Sequence, residues 1–125
     1  MQLTLGLIGC GAISKKHVAA VYENDPTYLL TAVCDVDRIR AEAAAASYVT
    51  ETSKPKPSVY DSVEEMLSKA KPEVVAIATP SAYHADAIVQ ALETGAHVIA
   101  EKPLALSTAD LDRIEKAANA SDKKV

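Results

Sequence analysis

Short apolar runs alternate with stretches of helical period along the whole of this chain. Leu3 to Ile8, Tyr28 to Cys34, Ser58 to Tyr60, Val74 to Ala78 and Val98 to Ala100 are three to seven residues long and mostly aliphatic, the length of strands rather than helices. The fourth run is apolar at every position, as a central strand covered on both faces requires. Between the runs the period changes. Gly9-Cys10-Gly11 turns out of the first run into a helix reaching about Glu23, which Asn24-Asp25-Pro26 ends. An alanine-rich helix spans about Arg38 to Ser47, and polar Thr50 to Pro57, holding two prolines, reads as a surface connection. Asp61 and Glu64 have capping-box spacing ahead of a helix that buries Val63, Met66, Leu67 and Ala70 and closes before Pro72. Ser81 is placed to cap the next helix, whose stripe is Ala85, Ile88, Val89 and Leu92 and whose stop is Gly95. Ser107 and Asp110 open a last helix with Leu111, Ile114 and Ala118 facing inward.

Strict alternation of strand and helix predicts an α/β fold, a doubly wound parallel sheet joined by right-handed crossovers with helices on both faces. An order of 3-2-1-4-5 puts the first strand at the centre and the fifth at an edge, where such sheets normally add a sixth. Lys123-Lys124-Val125 reads as the start of that strand, cut short, which leaves Val98 to Ala100 an open edge liable to pair with another chain.

Composition narrows the picture without changing it. The length of 125 residues suits one domain, and a core without Trp or Phe must be aliphatic. A net charge of −4 argues against a nucleic-acid or anionic-membrane surface. Apolar runs of about five residues are too short to span a bilayer, and Met1 to Leu5 lacks the layout of a signal peptide. Cys10 and Cys34 therefore read as reduced, buried thiols of a cytoplasmic protein.

The candidate chemistry gathers at strand ends. Gly9-Cys10-Gly11-Ala12-Ile13-Ser14 fits Gly-x-Gly-x-x-small between a strand and a helix, the context in which that pattern cradles a dinucleotide pyrophosphate. Gly9 serves the tight turn and Gly11 the approach of phosphate, while the helix start through Ala12 and Ile13 offers free N–H groups and small Ser14 lets the helix pack close. Asp35 ends the second strand 24 positions after Gly11. A carboxylate there accepts both adenosine-ribose hydroxyls and repels a 2′-phosphate by about 4 kcal/mol at ~4 Å and an effective dielectric of ~20. Asp37 adds to the repulsion and Arg38 offsets part of it, so NAD is favoured over NADP. Thr79-Pro80-Ser81 ends the fourth strand at the topological switch point. His84 and His17 each fit either a structural partner or a ligand contact. Glu101-Lys102-Pro103 ends the fifth strand on the same edge. There the Lys102 ammonium is placed to hold a substrate hydroxyl or the nicotinamide end, with Glu101 as its ion-pair partner and a pKa lowered by burial.

Together these stretches resemble the glucose-fructose oxidoreductase/inositol dehydrogenase (Gfo/Idh/MocA) family. Gly6 to Ser14, Ala32 to Asp35, Ala78 to His84 and Gly95 to Ala105 carry the likeness, which covers essentially the whole chain. The resemblance implies a Rossmann domain of an NAD(P)-dependent, homo-oligomeric oxidoreductase acting on a sugar, cyclitol or sugar nucleotide. It implies that Lys102 lies near the nicotinamide as the catalytic residue, and that Thr79, Pro80, His84 and Glu101 line the cofactor. Ser81 departs from the Asn common at its position. The family's second, α+β domain supplies most substrate contacts, so residues 1–125 are expected to be the dinucleotide-binding domain alone, with that domain absent from this chain. A self-sufficient regulatory nucleotide-binding domain is the alternative. A methyltransferase fits less well, because it gives Glu101-Lys102-Pro103 no task.

Overall fold

The computed structural model describes all 125 residues. In chain order the elements are β1 (Leu3–Ile8), α1 (Ser14–Glu23), β2 (Tyr28–Cys34), α2 (Arg38–Thr52), β3 (Ser58–Tyr60), α3 (Val63–Ala70), β4 (Val74–Ile77), a 3₁₀ turn (Ser81–Tyr83), α4 (His84–Glu93), β5 (His97–Ala100) and α5 (Thr108–Ala120). The five strands form one parallel sheet in the order β3-β2-β1-β4-β5, as the alternation of elements predicts.

Two apolar layers hold the helices to the sheet. On one face Val18 and Val21 of α1 and Ala41, Ala45 and Tyr48 of α2 pack on Leu5, Leu7, Leu30, Val33 and Ala76. On the other, Met66 and Leu67 of α3, Ile88 and Leu92 of α4 and Ile114 of α5 pack on Ile8, Val75, Ile77 and Val98. Alanines at helix positions facing the strands allow close approach, which is how a chain without Phe or Trp closes its core. Tyr48 is the exception. It is fully buried, and its hydroxyl accepts the Leu30 N–H (3.3 Å), beside the point where Thr31 is inserted into the β1–β2 register.

Several boundaries differ from those the sequence suggests. α2 continues to Thr52, past the expected end near Ser47. The Thr50 and Thr52 hydroxyls bond back to the Ala46 and Tyr48 carbonyls, and Ser53, at φ 57°, closes the last turn. The cap of α3 is Ser62, whose hydroxyl accepts the Glu65 N–H (3.2 Å), one residue on from the expected Asp61. Ser62→Ala is therefore expected to cost about 1 kcal/mol in urea unfolding, with Asp61→Ala close to neutral. Ser81 caps nothing; it begins the 3₁₀ turn that leads into α4. Leu111 is 43% exposed although it sits at the spacing of a core position, and Ile114 carries the contact of α5 instead. The β5 edge is also less open than expected, since the Val98 N–H donates to the Lys124 carbonyl (2.8 Å). No helix is long and apolar enough to cross a membrane.

Candidate functional site

At the carboxyl edge of the sheet the ladder runs one rung past each strand. Gly9 N–H donates to Cys34 O (2.8 Å), Asp35 N–H to Tyr60 O (3.2 Å), Ala78 N–H to Ile8 O (2.8 Å) and Glu101 N–H to Ile77 O (3.0 Å). Each last rung fixes a residue of the expected site, or its immediate neighbour.

Gly9 has φ +93°, and a Cβ built on it would lie 2.6 Å from the Ala78 carbonyl carbon and the Thr79 nitrogen. Only glycine fits there. A Cβ on Gly11 would meet nothing within 4 Å, so its backbone lies open to the cleft. The N–H groups of Gly11, Ala12 and Ile13 have no acceptor within the chain, and they stand at the start of α1, where the helix dipole favours an anion. Ser14 is 3% exposed and its hydroxyl donates to the Gly11 carbonyl, which ties the loop down.

The Asp35 carboxylate accepts the Cys10 N–H at one oxygen and the Asp37 N–H at the other, both at 2.8 Å. These bonds aim it while leaving each oxygen a free lone pair. Arg38 is outside the cleft lining, near Glu42 (4.0 Å) and Asp61 (3.9 Å). Arg40, which the sequence does not single out, lines the cleft instead, 3.6 Å from Asp37.

The cleft holds about 700 Å³. Gly9, Gly11, Ala12, Ile13, Asp35, Thr79 and Pro80 line it together, and the wall also includes Val36, Asp61, Tyr83, Asp86 and Gln90. Thr79 Oγ1 is buried without a hydrogen-bond partner, an orphan at the end of β4 suited to a polar ligand group. These features fit a dinucleotide: free amides for phosphate, an aimed carboxylate for ribose hydroxyls, and an unpaired hydroxyl beyond them.

Ser81, His84, Glu101 and Lys102 are not in that lining. His84 is 1% exposed, with Nδ1 2.7 Å from the Pro103 carbonyl and Nε2 2.8 Å from the Thr79 carbonyl. Both nitrogens are occupied by the protein, so His84 takes the structural role of the two open to it. A neutral ring donates to one carbonyl only. Glu101 pairs not with Lys102 but with His17 (Nε2 to Oε1, 2.8 Å). Lys102 is exposed rather than buried and makes no ion pair. His97 caps the opposite edge, where its Nδ1 accepts the Lys124 N–H (3.1 Å).

Residues 3–125 match the sequence profile of the oxidoreductase family with an NAD-binding Rossmann fold. The chain belongs to the Gfo/Idh/MocA family. Among its curated relatives, an inositol 2-dehydrogenase of Salmonella typhimurium is 31% identical over 125 residues, all of this chain and 36% of that protein. A D-glucoside 3-dehydrogenase of Escherichia coli is 35% identical over 105 residues, 84% of the chain and 28% of the relative. Among solved structures, the WlbA dehydrogenase of Bordetella pertussis in complex with NADH and UDP-GlcNAcA superposes with a TM-score of 0.89 at 28% identity. That match takes in 100% of this chain and 38% of the other. The chain thus spans about a third of the length of these Gfo/Idh/MocA relatives.

One thiol, Cys10, lies within the glycine loop and the other, Cys34, ends β2 beside it. Burial, then the Asp35 carboxylate, pushes the Cys10 thiol up from 9.0 to about 12; the same two causes push Cys34 up to about 11. A raised native pKa means that the unfolded chain loses these protons first, so their contribution to stability is complete below pH 9 and declines as pH rises toward 11–12. Urea midpoints measured between pH 8 and 10.5 are expected to fall, and a Cys10→Ala/Cys34→Ala double variant to flatten that slope. Below pH 9 an aromatic disulfide reagent is expected to modify neither thiol until denaturant is added.

Proposed function

We propose that this chain binds NAD in preference to NADP, as the dinucleotide-binding domain of a dehydrogenase. That enzyme acts on an alcohol carbon of a sugar, cyclitol or sugar nucleotide. The observation that carries the reading is the convergence, in one cleft, of three free amides at Gly11, Ala12 and Ile13 with the aimed carboxylate of Asp35. Those amides hold the pyrophosphate, Asp35 holds the adenosine ribose, and Thr79 and Pro80 contact the nicotinamide end. Bound NAD supplies a two-electron acceptor at that end. Lys102, on the same edge, orients the substrate hydroxyl by donating hydrogen bonds from its ammonium group. The named activities of the relatives support the substrate class. In the same reading, further substrate contacts come from an α+β domain outside residues 1–125, and the protein works in the cytoplasm as a homo-oligomer with Cys10 and Cys34 reduced.

Calorimetric titration of the chain tests the cofactor. Saturable heat with NADH, at least tenfold weaker with NADPH and absent with S-adenosylmethionine, is the expected pattern. A heat signal from the methyl donor alone overturns the proposal.

A further inference from the structure

We propose that His17 and His84 are positioning residues for Lys102, gripping the chain on either side of it from opposite faces of the sheet. The proposal rests on the reading above, in which Lys102 serves the nicotinamide end.

Lys102 forms no ion pair and is exposed, so the backbone of its neighbours is what places the base of its flexible side chain. On its N-terminal side, Glu101 is fixed twice. Its N–H continues the sheet ladder to Ile77 O (3.0 Å), and its carboxylate meets His17 Nε2 at 2.8 Å. His17 lies on α1, one turn beyond the glycine loop, so this bond ties the end of β5 to the helix that presents the free amides. With side chains 17% and 31% exposed, the pair is shielded enough to outlast a fully solvated surface contact.

On the C-terminal side the restraint is sparser. From Lys102 to Leu106 the backbone makes a single hydrogen bond, which the Pro103 carbonyl accepts from His84 Nδ1 (2.7 Å). The other nitrogen of that ring lies 2.8 Å from the Thr79 carbonyl, so His84 is wedged between the segment after β5 and a cleft-lining residue whose hydroxyl is buried without a partner. α1 and α4 lie on opposite faces of the sheet. Lys102 is therefore bracketed by one histidine from each layer. Neither ring reaches the cleft itself, and both act through Glu101 and Pro103.

The test follows Lys102 directly in the intact chain. Lysines are labelled by reductive ¹³C-methylation, the Lys102 signal is assigned by its loss in Lys102→Arg, and NADH is titrated. In the parent chain NADH is expected to shift the Lys102 signal. His17→Leu and His84→Leu are each expected to reduce that shift to under a third, while the NADH dissociation constant stays within about threefold because the glycine loop and Asp35 are untouched. His17→Gln keeps a donor for Glu101 and is expected to restore at least two thirds of the shift, a rescue that mere damage to packing does not produce. Thermal melts accompany each variant, and should His84→Leu not fold, the His17 pair decides alone. A parent-sized response in the leucine variants, or no rescue by glutamine, overturns the proposal while leaving the cofactor reading in place. Saturable NADH binding that leaves Lys102 unmoved in the parent overturns the placement of Lys102 at the nicotinamide, and this proposal with it.

Discussion

Gly9→Ala is expected to abolish NADH binding and to destabilise the fold by about 3 kcal/mol or more, whereas Gly11→Ala leaves stability unchanged. The two positions belong to one motif, yet their surroundings differ. At Gly9 a methyl group meets backbone on the neighbouring strand, 2.6 Å from both the Ala78 carbonyl carbon and the Thr79 nitrogen, at φ +93°. Backbone cannot swing aside as a flexible side chain would, so the glycine loop must separate from β4, and the last rung to Cys34 goes with it. At Gly11 the same methyl meets nothing within 4 Å. It projects into the space where phosphate would approach, so NADH binding is expected to weaken by about tenfold or more, about 1.4 kcal/mol, with no loss of stability. Urea unfolding and calorimetry on the two variants separate these effects. Equal destabilisation of both would contradict the geometry.

The second large effect belongs to Asp35. Asp35→Asn is expected to weaken NADH by roughly ten- to a hundredfold, the equivalent of one charge-assisted hydrogen bond of about 1.5–3 kcal/mol. The loss has two sources. An amide nitrogen accepts nothing, so one of the present bonds from Cys10 N–H or Asp37 N–H must go, and the remaining oxygen can no longer serve a ribose hydroxyl with full charge. The same change removes one of the negative charges that would face a 2′-phosphate and leaves Arg40 lining the cleft with Asp61 and Asp86. NADPH is therefore expected to gain while NADH loses, reversing the preference between them. Parallel titrations with the two cofactors measure the ratio, and a ratio that does not move removes Asp35 from its assigned place.

Most of this arrangement is legible in the chain because it depends on local pattern. A Gly-x-Gly turn between an aliphatic run and a helix specifies its own geometry, and a carboxylate at the next strand end needs no side-chain detail to be placed. The order of strands follows from the same alternation. What the sequence does not convey is pairing between side chains distant in the chain. Glu101 and Lys102 are neighbours and of opposite sign, which suggests an ion pair. The fold instead brings His17 to Glu101 across 84 positions and leaves the lysine free. His84 has helical-start spacing that suits a ligand contact as well as a tie, and only the carbonyls of Thr79 and Pro103 on either side of its ring decide between them. Arg38 and Arg40 follow Asp35 by three and five positions, and either could face the cofactor, but only Arg40 lines the cleft, while Arg38 lies 3.9 Å from Asp61. Cap positions slip by a residue for a similar reason: Asp61 and Ser62 are both competent, and the backbone angle at Ser62 settles the choice.

The rungs that extend the sheet past its strand ends have a consequence for how a ligand is received. Gly9, Asp35, Ala78 and Glu101 are each secured by main-chain bonds to a neighbouring strand or its end, so the mould exists before anything enters it. Association then has little disorder to remove from the polypeptide, and the unfavourable entropy of the event falls mainly on the incoming molecule.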